Sequence, residues 1–95
     1  MDKSITSTDY RLFLRELRDA RKRSGLTQGD VAERLGETQS FVSKCERGER
    51  RIDVVELRAF CRAIGLSLSG FAHQLDRALA STVGTARAQK RAVRK

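Results

Sequence analysis

Residues 26–47 read LTQGDVAERLGETQSFVSKCER, and the order of caps, apolar steps and glycine in this stretch decides the fold. Thr27 stands three residues before Asp30, the Thr-x-x-acid spacing in which a hydroxyl and a carboxylate satisfy backbone N–H groups at a helix start. Val31, Ala32 and Leu35 then share one face of a short helix, which Gly36 stops. Thr38 caps the next helix, from Gln39 to about Arg47. At about 100° per residue, its side chains separate into two arcs: Phe41, Val42 and Cys45 on one, Gln39, Ser40, Ser43, Lys44 and Arg47 on the other. The first arc is apolar and faces a core. The second is polar, compact and rich in small side chains.

The flanking sequence supplies that core. Upstream, Tyr10, Phe13, Leu14, Leu17 and Ala20 recur at three- and four-residue steps between Asp9 and Ser24, which predicts an amphipathic helix ended by Gly25. Residues 1–8 are short and polar and are expected to form a flexible lead, with Ser7 or Thr8 as the cap. Downstream, Asp53 caps a fourth helix in which Val54, Leu57, Phe60, Cys61 and Ile64 share a face, closed by Gly65. Ser67 starts a fifth, with Leu68, Phe71, Ala72, Leu75, Ala78 and Leu79 in register as far as Gly84. No segment alternates with the two-residue period of a strand. The reading is all-α: one compact five-helix domain over residues 9–83, without repeats, followed by a disordered basic tail at 84–95.

Composition narrows the function. A chain of 95 residues with five aromatics among them can bury one small core, and a deep enclosed catalytic pocket would compete with it for apolar side chains. One histidine, His73, on the polar side of the fifth helix, and two cysteines, Cys45 and Cys61, on apolar faces supply neither a nucleophile–base pair nor a metal-ligand set, so no enzyme, metal site or cofactor is expected. Lys plus Arg number 20 against 12 Asp plus Glu, a formal charge of +8 that points to a polyanionic partner. Arg87, Lys90, Arg91, Arg94 and Lys95 place +5 of it in the acid-free tail. There is no signal-peptide stretch and no long apolar run, so a cytoplasmic protein without membrane attachment is expected.

The second and third helices, joined by Gly36-Glu37-Thr38, have the length and the glycine position of a helix-turn-helix, whose second helix fits a DNA major groove about 12 Å wide. The stretch from Leu17 to Leu66 resembles the lambda repressor and Cro type of helix-turn-helix protein, the XRE family. The resemblance rests on Arg21 and Gln28 with six residues between them, on LTQGDVAERLG and TQSFVSKCERGERR, and on the closing VVELRAFCRAIGLSL. It departs at Ile52, where many members carry Pro, and at Gly29 in the first turn of the second helix. It implies a compact lambda-repressor-like domain and sequence-specific binding of double-stranded DNA by a transcriptional regulator, with repression a common role. The family also contains protein-interaction modules, such as the antitoxin of a toxin–antitoxin pair, in which a toxin is the partner; the small polar Gln-Ser-x-x-Ser-Lys face favours the DNA reading.

Gln39, first in the probing helix, has an amide that can bond both N6 and N7 of adenine, the bland alternative being a phosphate contact. Ser40, Ser43 and Lys44 share its face and reach a base or a phosphate. Gln28 opens the second helix, where free N–H groups favour a phosphate, and the resemblance implies a phosphate-contacting Gln there. Arg47, Arg50 and Arg51 follow the probing helix and are candidates to clamp the adjoining backbone. Phe41, at the edge of the inward arc, reads as core filler, and Arg11, Arg15, Arg18 and Lys22 of the first helix read as a solvated stripe. Arg21 and Glu46 both fall on inward arcs, so opposite charges are aimed at one core and should pair, as the resemblance also implies. One probing helix covers too few base pairs to single out a site, so a homodimer on a palindromic operator is expected. Leu75, Leu79 and Val83, the spare half of the fifth helix's apolar stripe, are its candidate interface.

Overall fold

A computed structural model describes residues 3–82, with side chains from Thr8 to Ser81. Every regular element among the described residues is a helix: α1 (Lys3–Arg23), α2 (Gln28–Leu35), α3 (Gln39–Arg47), α4 (Val54–Ile64) and α5 (Leu68–Thr82). The basic segment 84–95 and Val83 lie outside the described residues.

The helix starts are set by side chains. Thr27 Oγ1 accepts from the Asp30 N–H at 3.0 Å, and the Asp30 carboxylate accepts from the Thr27 N–H at 2.9 Å. That bond from the Thr27 backbone, with the threonine hydroxyl beside it, holds the Asp30 carboxyl below the usual range. Asp53 and Glu56 repeat the box at α4, with bonds of 2.7 and 3.0 Å. Thr38 accepts from the Phe41 N–H, and Ser67 from the Gly70 N–H, both at 3.0 Å. The ends of α2 and α3 require glycine. Gly36 sits at φ +74° and Gly48 at φ +82°, left-handed backbone that costs other residues about 1–2 kcal/mol. At Gly36 the turn lets its own N–H and that of Glu37 close on the last carbonyls of α2. At Gly48 a Cβ would also stand 3.3 Å from Leu14 Cδ1.

These tight ends cross the helices so that α2 packs on α3 and α4, α1 on α3 and α5, and α4 on α5. Leu17, Val31, Val42, Cys45, Cys61 and Phe71 are fully buried where they meet. Both cysteines are free, and burial pushes their thiols up, as expected of small apolar fillers.

Three details differ from the sequence reading. Helix α1 begins at Lys3 and not at Asp9, so Ser7 and Thr8 lie inside it and not at its start; no Gly or Pro between Lys3 and Arg23 stops the helix from propagating. Val54 points outward with 63% exposure although its spacing matches Leu57, Phe60 and Ile64. The reason lies in position: burial grows along α4 from Val54 through half-buried Leu57 to Phe60, so the first turn overhangs the core. Ala72 is likewise exposed, while Leu12, absent from the expected apolar set of α1, is buried.

Candidate nucleic-acid interface

The outward arc of α3 is held out by what lies under it. Val42 and Cys45 are 0% exposed, and half-buried Phe41 stacks on Phe60 with ring centroids 6.4 Å apart, so α3 is free neither to roll nor to slide. On the opposite side Gln39, Ser40 and Lys44 are exposed and Ser43 is half-buried. The start of α3 meets the start of α2: Gln39 Oε1 is 3.7 Å from the point a Cβ on Gly29 would occupy. Two helix N-termini, each with unsatisfied N–H groups and the positive end of a dipole, therefore open on the same side as Gln39.

Beneath them the structure brings Arg21 and Glu46 together. Arg21 Nε and Nη2 donate to the two carboxylate oxygens of Glu46 at 2.7 and 3.0 Å, and Nη1 donates to the Leu26 carbonyl at 2.9 Å. The two side chains are only 9% and 6% exposed. Gln28 completes the group by donating its amide to Glu46 Oε1 at 2.9 Å. The Gln28 amide, which the sequence offers to a phosphate, is here also engaged within the protein. Glu46 retains lone pairs that water cannot reach, and the Gln28 amide is the donor that satisfies one. One carboxylate of α3 thus ties α1, α2 and the intervening turn to the probing helix.

Arg47 at the end of α3 and Arg50 and Arg51 after it, grouped together in the sequence, are not equivalent. Arg50 is built into the loop: it bonds the Glu56 carboxylate at 2.8 Å, donates to the Arg51 carbonyl at 3.0 Å and lies 4.8 Å from the centre of the Phe41 ring. The Glu56 bond raises its pKa, and holds the Glu56 carboxyl below its ordinary value. Arg51 lies over the Tyr10 ring at 4.3 Å, while the Tyr10 hydroxyl accepts from the Ile52 N–H at 2.9 Å. Arg47 stays on the rim of the polar arc, 2.9 Å from Glu49 and bonded to the Ser43 hydroxyl. No local rule signals these partners, since Arg50 and Glu56 sit on either side of a cap and Arg47 and Glu49 on either side of Gly48. In α1, Arg11, Arg15 and Lys22 are exposed on a solvated face, whereas Arg18 is half-buried, its Nε shielded from solvent without a hydrogen-bond partner and 3.9 Å from Asp19.

Leu75 of α5 packs against the core and Leu79 is half-buried; His73 is exposed. Among the described residues no three His, Cys, Asp or Glu side chains are grouped to hold a metal, and no helix is long and apolar enough to cross a membrane.

Comparison with known proteins places this geometry. A family model described as a helix-turn-helix domain matches residues 12–74, well over half of the chain. Over 47 residues, half of this chain and 61% of the relative, the sequence is 40% identical to the uncharacterized HTH-type transcriptional regulator y4dJ of Sinorhizobium fredii, whose length it therefore spans only in part. A solved structure described as an XRE-family like protein from Pseudomonas syringae pv. tomato superposes with a TM-score of 0.75 at 44% identity, covering 79% of this chain and 92% of that one. The polar arc of α3, its buried Arg21–Glu46 tie and these matches lead to one assignment: the chain belongs to the XRE family of helix-turn-helix domains.

Proposed function

We propose that this helix-turn-helix regulator binds double-stranded DNA sequence-specifically, with α3 in the major groove and a second copy on the other half of a palindromic site. The observation that carries the reading is the outward arc of α3, where Gln39, Ser40 and Lys44 are exposed, beside Ser43, on a helix immobilised from below. Gln39 reads an adenine through its amide; Ser40, Ser43 and Lys44 read or approach neighbouring base edges. Phosphates are met by the N–H groups at the start of α2, behind Gln28, and by Arg47 and Arg51, while Arg50 holds the loop in shape.

Gln39→Ala is expected to cost about 1–3 kcal/mol on the preferred site and to relax discrimination at one base pair. Selection of bound duplexes from a random pool, followed by titration of the winner, reads both effects. An equal loss on every sequence would make Gln39 a backbone contact only. Arg47 reaches a phosphate by giving up Glu49, so Glu49→Gln should raise affinity for all sequences and steepen the dependence of log K on log salt, by at most about 0.9 for one added phosphate contact. An unchanged slope would leave Arg47 paired within the protein.

The dimer is assigned to the outer end of α5, where Leu75 and Leu79 are only half-buried within one copy and Val83 continues the spacing. Leu79→Glu should then yield a folded monomer, because a two-fold seam would set each new carboxylate against its own copy. Sedimentation at tens of micromolar decides this; a wild type that is monomeric there and selects a non-palindromic site would rule the assignment out.

A further inference from the structure

The outer face of α4 takes no part in the DNA-reading arc. Val55, Arg58, Ala59 and Arg62 have the i, i+3, i+4, i+7 spacing of one helix face and are all exposed. Together with Arg34 and Leu35 at the end of α2, they line an open groove of about 470 Å³. Its floor is apolar: Leu35 is half-buried, and Val55, at 74% exposure, is the most exposed large apolar side chain among the described residues. Its rim carries three guanidinium groups and no carboxylate among the described lining residues. Arg34 is fixed in place by donating Nη1 to the Ala63 carbonyl at 2.7 Å, which anchors one of the three charges over the last turn of α4. Toward α3 the groove runs on, past Leu35 and Ala59, into a smaller hollow beside Phe41 and Phe60. The carboxylates there are Glu37 and Glu56, and Glu56 is already bonded to Arg50.

Charge selects the occupant. A second copy would set three arginines against three, and residues 84–95 of this chain are basic and repelled. DNA needs no apolar floor, and none of the lining residues belongs to the outward arc of α3. We propose that the α2–α4 groove docks an acidic amphipathic segment of a partner protein. Its apolar side chains seat on Leu35, Val55 and Ala59, and its carboxylates pair with Arg34, Arg58 and Arg62, whose planar guanidiniums suit bidentate pairing.

The test is a selection of random peptides displayed on phage against the immobilised full chain with duplex DNA bound, followed by amide shift mapping with the enriched peptide. Enriched sequences are expected to carry two or more Asp or Glu within two turns of two apolar residues, and to shift Leu35, Val55 and Ala59. The double variant Arg58→Glu/Arg62→Glu, exposed and outside every buried network, should bind the peptide at least about tenfold more weakly while binding duplex DNA as before. The proposal is overturned if no peptide is enriched, if the variant binds the peptide equally well, or if shifts centre on Gln39 and Ser43. It is equally overturned if the variant loses DNA as Lys44→Ala does, which would make the groove part of the DNA interface. Self-association of the wild type that the variant abolishes would assign the groove to a second copy instead.

Discussion

Alanine at Arg21 or at Glu46 is expected to destabilise the domain by about 3–5 kcal/mol, a large part of the roughly 5–15 kcal/mol that holds a domain folded. Each side chain is less than a tenth exposed, so removing one leaves the other's charge in a site that water does not reach. The two losses differ in kind. Glu46→Ala strands a guanidinium whose remaining bond is to the Leu26 carbonyl and also releases the Gln28 amide, whereas Arg21→Ala leaves Glu46 that one amide as donor. Glu46→Ala should therefore cost the more. The double variant should cost less than the sum, because neither charge is then left without the other. Urea unfolding of the two single variants and the double variant measures the coupling directly; small additive effects would show that the pair contributes nothing to stability. A consequence for binding follows, since Glu46 ties α3 to the start of α2: Gln28→Ala should loosen the relation of the two helix N-termini and weaken DNA binding without removing any outward group.

Phe71→Ala should cost a similar amount, about 3–5 kcal/mol. The ring is 1% exposed and meets Phe13 of α1 edge to face, with centroids 6.1 Å apart and planes at 70°. It is a side chain by which α5 joins the core beneath α1 and α4, and its removal would leave a ring-sized cavity there. Val55→Ala is the control. Also apolar and also on a helix, Val55 is 74% exposed, and its truncation should change stability by no more than about 0.5 kcal/mol. Thermal unfolding of both variants separates the cases, and equal losses would mean that α4 is seated more deeply than its exposure implies.

The contrast between Phe71 and Val54 marks the boundary of what could be read from the chain alone. Local chemistry was legible. Thr27, Thr38 and Asp53 announce helix starts because a cap is satisfied within three residues, and Gly36 and Gly65 announce ends because only a local left-handed turn is needed. Helical spacing located the two arcs of α3, and with them Gln39, Ser40, Ser43 and Lys44, since a face is a property of one helix. It also aimed Arg21 and Glu46 at a common core, since a charge on an apolar arc has few places to go. What periodicity lacks is the crossing angle and the length over which two helices touch. Those left Val54 and Val55 beyond the edge of the core, turned the Gln28 amide inward to a carboxylate on another helix, and sorted three similar arginines into a loop staple, a ring-stacked group and a rim cation. Such partners are separated by 18 residues for Gln28 and Glu46 and by 42 for Ile52 and Tyr10. They are chosen by proximity that only the packed helices create, because burial and hydrogen bonding depend on which surfaces meet and not on the spacing within either one.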